Sequence, residues 1–335
     1  MAKHPQQVAE LGEGELLSRI FPRLGGARMP LGPGDDAAVL AAPDGRTVIS
    51  IDTLVQDQDF RLQWPGGYST TGYDVGWKCA AQNLSDINAM GAVPTSLVVS
   101  LTLPADTPVS WVEDLADGLS AALRALGAEQ CSVAGGDLGR GNQLVVTAAV
   151  TGDLQGRDPV LRWGAQPGDV LAVCGVLGEA AAGLALLESS LVYAELSGWE
   201  RALTAAQSRP CPPLAAGPAA AKAGAHAMMD ISDGLVRDGG RLCDASGVRV
   251  DLDADVLKQE GAPLADTAAK LGTDPVRWVL GGGEDHGLLA AFAPERVLPR
   301  GFRRVGTVLP RLEEQGMVTI GGEPPSAAGW DHFAG

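Results

Sequence analysis

The chain is poor in aromatic residues, in basic residues and in paired cysteines. Aromatics make up only 4% of its 335 positions, so its core has to be built mainly from Ala, Val and Leu. The five cysteines (Cys79, Cys131, Cys174, Cys211 and Cys243) form an odd set with no C-x-x-C pair. That argues against a disulfide framework and against a zinc site. Cys131 and Cys174 lie in apolar runs and read as small core residues. Basic residues are outnumbered, 25 against 41 acidic, for a net charge of −16. A nucleic-acid binder usually carries the opposite balance, with a basic stripe, so no nucleic-acid partner is expected. No apolar run is long enough for a helical membrane span, so no membrane partner is expected either. The opening MAKHPQQVAELGEGELLSRIF lacks the apolar centre of a signal peptide, and the cytoplasm is the expected location.

Several catalytic signatures are also missing. There is no G-x-x-x-x-G-K-[ST], no kinase H-R-D and D-F-G pair, no G-x-S-x-G and no H-E-x-x-H. The four histidines (His4, His226, His286 and His332) show no metal-ligand spacing. Any chemistry here therefore rests on carboxylates, metal ions and a few cations.

The residues that are present organise into two halves. The hydrophobic fraction of 45% is enough for real cores. Apolar spacing predicts helices over 9–21, 72–90 and 109–126, the last with Trp111, Leu115, Leu119 and Leu123 on one stripe. Strands are predicted at 47–51, 95–103, 131–134 and 143–151. The polar, Gly- and Pro-punctuated stretch 153–168 reads as a domain junction. A second series follows: strand 169–174, helix 178–188, a Pro-rich insertion and a further helix, strand 227–230, helix 234–245, then strands at 248–252, 285–292 and 304–308. The expectation is an α/β (α+β) protein of two domains, 1–153 and 154–335, with the ligand cleft between them.

The most informative feature is a set of aspartates at strand ends or helix starts, each beside small residues: Asp35–Asp36, Asp52, Asp86, Asp137, and Asp230 with Asp233. A carboxylate at the mouth of an apolar strand is costly without a partner. Magnesium is a natural one, since it combines a few carboxylates with substrate phosphates. Each aspartate also has a plainer reading. The G-P-G-D-D segment is a polar turn, Asp52 a strand-end cap, Asp86 a paired helix residue and Asp137 part of a tight hairpin after CSVA. Gly135 and Gly136 would allow a nucleotide to approach the backbone. DISDG places Asp230, Ser232 and Asp233 at a helix start, where anions are attracted. Ser50 points to the same side of an extended chain as Asp52 and adds an oxygen.

In order, GPGDDAAVL, ISIDTLV, NLSDINAMGAVP, AGGDLGRG, DISDGL and GGGEDH resemble the thiamine-monophosphate kinase family. That family belongs to the superfamily of aminoimidazole ribonucleotide synthetase and selenophosphate synthetase. The resemblance spans residues 9–333 or so. It implies a homodimer formed through the sheet of the N-terminal domain, and ATP-dependent phosphorylation of thiamine monophosphate to thiamine diphosphate. It implies several magnesium ions held by Asp36, Ser50, Asp52, Asp86, Asp137, Asp230 and Asp233. It puts Gly136, Asp137, Arg162 and Ser232 at the nucleotide, and Glu284 and Trp330 at the thiamine side. Asp52, Asp137 and Arg162 are then the residues expected to act on the transferring phosphate. Asp59 stands where the family often has a substrate-side His. Two alternatives compete. One is another ATP-dependent enzyme of the superfamily, although residues 1–78 lack the reactive Cys expected of a selenophosphate synthetase. The other is a non-catalytic metal- or nucleotide-binding homologue.

Overall fold

A computed structural model describes residues 6–7, 10, 13–23, 41–312, 316–327 and 329. Asp35, Asp36 and Trp330 therefore lie outside the described residues. The first half contains α1 (Glu13–Ile20), β1 (Val48–Val55), α2 (Gly72–Ala89), β2 (Val93–Leu103), α3 (Val109–Ala125), β3 (Ser132–Arg140) and β4 (Val145–Asp153). The four strands form one sheet in the order β1-β4-β2-β3, parallel only between β2 and β3. Helices α2 and α3 pack together over one face of it. On β1, Ser50, Asp52 and Leu54 point inward, towards α2. The opposite face is uncovered and carries Ile49 at 69% and Ile51 at 64% exposure.

The second half contains β5 (Val170–Cys174), α4 (Glu179–Glu188), α5 (Gly198–Ser208), α6 (Ala216–Ala223), β6 (Ala227–Ile231), α7 (Leu235–Ser246) and β7 (Val248–Leu252). It continues with α8 (Ala254–Gly261), α9 (Ala265–Leu271), α10 (Pro275–Gly281), β8 (Gly287–Phe292), β9 (Arg303–Pro310) and β10 (Val318–Ile320). Its mixed sheet has the order β10-β7-β9-β5-β8-β6. Each half has its own apolar core, and a smaller cluster joins them, with Ala89 of α2 against Ala216, Ala220 and Met228.

Helix α2 belongs structurally to both halves. Thr71 and Asp74 form a capping box at its start, each side chain bonded to the other's backbone N–H, at 3.2 and 3.0 Å. Beyond that turn nearly every residue is buried, the polar Lys78, Asn83 and Ser85 included. A helix covered on all sides needs small residues rather than one apolar stripe, which explains the run of Gly, Ala and Ser. A Cβ on Gly76 would lie 2.1 Å from the Leu115 carbonyl oxygen of α3, and one on Gly217 of α6 would lie 1.8 Å from the Asn88 carbonyl oxygen.

The structure departs from the sequence expectations in several places, the short strand β10 (Val318–Ile320) among them. β3 runs through the glycines to Arg140, because Gly136 lets β2 approach: a Cβ there would meet the Val99 carbonyl oxygen at 2.1 Å. AGGDLGR is thus strand rather than hairpin. α5 was missed beside the Pro-rich insertion, and the short helices α8, α9 and α10 were missed because stretches of seven or eight residues show little periodicity. The strand at 248–252 is as expected.

Gly76→Ala is expected to separate α2 from α3 and to cost about 1–3 kcal/mol of stability. Urea unfolding measures it, and a stability equal to wild type would show that the α2–α3 approach is looser than this packing.

Candidate active site

The inner edge of β1, the second half of α2 and the end of β6 meet at the seam between the domains. From β1 come Ser50 and Asp52, from α2 Ser85 and Asp86, and from β6 Asp230. Ser50 Oγ donates a short hydrogen bond to Asp86 Oδ2. Ser85 Oγ donates to Asp230 Oδ2 at 3.4 Å, so the two domains already share a polar contact here. Burial, then Asp230, pushes the Asp86 carboxyl up to about 7, against the Ser50 hydroxyl. Burial also pushes Asp52 upward, with His286 opposing and Asp230, Glu284 and Asp59 adding to it. The three carboxylates feel one another in a poorly solvated space.

Beside them is a loop, residues 281–287, pinned to the DISDG turn. Glu284 N donates to the Ser232 carbonyl at 2.9 Å and His286 N to the Ile231 carbonyl at 3.1 Å. Gly283 allows this approach, since a Cβ would lie 2.6 Å from the Ser232 oxygen. Glu284 and His286 both have positive φ, 72° and 52°, a conformation non-glycine residues hold only when their surroundings dictate it. Asp285 points the other way, accepting from Gly178 N and Ala180 N at 2.5 and 2.8 Å and so capping α4. His286 is buried, with ion pairs to Asp230 at 3.6 Å and to Glu284 at 3.8 Å. Burial works against its charged form, but Asp230 and Glu284 outweigh that and push it up to about 10. Lys78 of α2 lies 2.9 Å from Glu284 Oε2. Burial opposes ionisation of Glu284 as well, yet Lys78 and His286 hold its carboxyl down at about 2.

The remaining sequence-selected residues fall at varying distances. Asp233 lies just past Asp230, in ion pairs with Arg241 at 2.7 Å and Arg237 at 3.6 Å. Its backbone N–H donates to Asp238. Gly329, the last described residue before Trp330, packs against this turn: a Cβ on it would lie 2.7 Å from the Asp233 carbonyl oxygen. Asp59 turns its carboxylate into its own loop, where Val55 N donates to it at 2.7 Å. Gly136 shares a row with Asp52 across Ala148 and Val99, three strand spacings or about 14 Å away. Asp137 is one position along, exposed, in the outward row with Ser100. Within one chain it stands apart from the cluster. Arg162 is exposed, and its carbonyl accepts from Ser246 at 3.2 Å, at the end of α7 about 17 Å from the DISDG turn.

Two residues of the site escaped the sequence reading. His286 shows no metal-ligand spacing in sequence, yet it stands in GGGEDH two positions after Glu284. Lys78 was passed over, although a lone lysine inside an Ala- and Gly-rich helix is itself a signal of a buried charge.

Residues 34–154 match the family description "AIR synthase related protein, N-terminal domain", and residues 166–300 match "AIR synthase related protein, C-terminal domain". With the two mixed sheets and the acidic seam between them, the class is that of AIR synthase-related proteins. Among its relatives is the thiamine-monophosphate kinase of Mycobacterium tuberculosis (strain ATCC 25618 / H37Rv), 44% identical over 99% of this chain and 95% of that one. That of Corynebacterium glutamicum is 37% identical over 97% and 95%. A solved structure described as AaThiL complexed with AMPPCP and TMP superposes with a TM-score of 0.74 at 31% identity, covering 99% of this chain and all of that one. The chain belongs to the thiamine-monophosphate kinase family.

Asp86 provides a pH test. Its folded pKa of about 7 lies above its ordinary value of 3.8. The folded protein therefore holds the extra proton between those values, and this group's contribution to stability falls as pH rises through that window. Asp86→Asn is expected to raise the melting temperature by about 2–5 °C at pH 8 in chelator, with the gain vanishing towards pH 4. Calorimetry across pH checks it, and a gain independent of pH would refute it.

Proposed function

We propose that the protein transfers the γ-phosphoryl group of ATP to thiamine monophosphate, giving thiamine diphosphate and ADP, in the cleft at the domain seam. The observation carrying this reading is the convergence of Asp52, Asp86 and Asp230 from both domains. The named activity of relatives 37–44% identical over nearly the whole chain supports the acceptor.

The donor set fits magnesium. Ser50, Asp52, Asp86 and Asp230 offer hard oxygen atoms, and burial together with mutual repulsion makes Asp52 and Asp86 costly to ionise without a cation. Among the described residues no three His, Cys, Asp or Glu side chains already form a metal cage. Asp233 and, by the family resemblance, Asp36 are proposed as further magnesium ligands. Magnesium, when bound, would neutralise phosphate charge there. Ser232, at the DISDG turn, and Arg162 are assigned to the nucleotide, with Gly136 and Asp137. Glu284 and Trp330 are assigned to the thiamine, and Asp59 closes the neighbouring loop.

An acceptor phosphate oxygen, already anionic at neutral pH, attacks the γ-phosphorus. The bond to the β,γ-bridging oxygen breaks and ADP leaves with its electron pair. No side chain needs to remove a proton, so the chain's contribution is orientation and charge. The transfer is direct and in line, without a phosphoenzyme.

The protein is further proposed to act as a homodimer in the cytoplasm. The exposed Ile49, Ile51 and Val98 on the open face of the first sheet support the dimer. Asp137 stands on that same face, so its part in the proposed site runs through the dimer.

Asp52→Asn is expected to lower turnover at least about 100-fold while the protein stays folded. A coupled ADP-release assay with thiamine monophosphate, and thiamine as control, reads it. Near-normal turnover would remove Asp52 from the metal site, and phosphorylation of thiamine instead would overturn the acceptor. Ile51→Glu is expected to give a monomer by light scattering, and a persistent dimer would place the interface elsewhere.

A further inference from the structure

Lys78 is 3% exposed and lies on α2, which both domains bury. An ammonium in such a position is costly unless paired. Its neighbours come from two other segments. Nζ donates to the Asp59 carbonyl at 3.2 Å and lies 2.9 Å from Glu284 Oε2. The first belongs to the 55–60 turn of the N-terminal domain, the second to the 281–287 loop of the C-terminal domain.

The two contacts fix different things. Backbone bonds to Ile231 and Ser232 already hold the 281–287 loop to its own domain. They do not choose where the Glu284 carboxylate points. Among the described residues, only Lys78 and, more distantly, His286 form ion pairs with it. Glu284 Oε2 and both ring nitrogens of His286 are buried and make no hydrogen bond. The carboxylate is thus held by the charges of Lys78 and His286.

We propose that Lys78 is a positioning residue for the acceptor: from the N-terminal domain it aims the Glu284 carboxylate of the C-terminal domain into the cleft and latches the two domains together there. The assignment to the acceptor rests on the proposed function; the latch rests on the geometry alone. A cation supplied across the seam holds Glu284 ionised, while 34% of its side chain stays open to solvent and so to a ligand. The Asp59 carbonyl, fixed by its own closed turn, keeps the ammonium from following Glu284 if that loop moves.

The test uses Lys78→Met, Lys78→Arg, Glu284→Gln and the Met/Gln double variant of the full-length protein. Lys78→Met is expected to raise KM for thiamine monophosphate about tenfold or more while KM for ATP stays within about twofold, and Lys78→Arg is expected to recover most of the loss. The double variant is expected to lie within about twofold of Glu284→Gln alone, because Lys78 acts through that carboxylate. Hydrogen exchange provides a readout that needs no turnover: amides 284 and 286 are expected to exchange about tenfold faster in Lys78→Met and at the wild-type rate in Lys78→Arg. Additive KM effects, or both KM values rising together, would overturn the assignment to the acceptor. Unchanged exchange in Lys78→Met would overturn the latch. Wild-type turnover in the same assay reports on the proposed function separately, and the exchange result stands whether or not thiamine monophosphate is the acceptor.

Discussion

Three carboxylates brought together where water is scarce are the constraint around which this protein is arranged. Like charges that meet in such a place repel, and burial removes the solvent that would screen them. Asp52, Asp86 and Asp230 come from β1, α2 and β6, so this repulsion acts across the boundary between domains. The fold holds them there by burying α2 on nearly every side, which requires Gly76 and Gly217 at its closest approaches. A cation in the seam would relieve the repulsion and draw the domains together in the same step.

The architecture was largely legible because it rests on period. α2 and α3 show as helices, and β2 and β4 as apolar strands. What failed was short or depended on partners. α8, α9 and α10 are too brief to show a period, and β3 was misread because its glycines look like turn residues until β2 is laid against them. Sequence alone does not say that a glycine serves a neighbouring strand rather than a bend or a nucleotide.

The candidate site was legible unevenly. Asp52, Asp86 and Asp230 stood out because a lone carboxylate in an apolar setting has to be explained by what it meets. Asp137 stood out for the same reason, yet sheet register puts it on the opposite face and three strands away. Linear order carried the motif but not the distance. Lys78 and His286 were missed for the converse reason: their significance lies in the pairing with Glu284, and the two partners of that acid are 206 and 2 positions away in sequence.

The distribution of fixed cations divides the cleft in two. Lys78 and His286 flank Glu284, whereas Asp52 and Asp86 are paired with no lysine or arginine among the described residues. Had Lys78 stood beside Asp86, it would have occupied the place of a metal ion and competed with it. Placed instead against Glu284, it neutralises the acid assigned to the thiamine and leaves Asp52 and Asp86 without a fixed cation. His286 bridges the halves, its two nitrogens facing Asp230 on one side and Glu284 on the other. Under the proposed function, a charge pattern of this kind would separate a phosphate-and-metal half from an acceptor half without a wall of side chains between them.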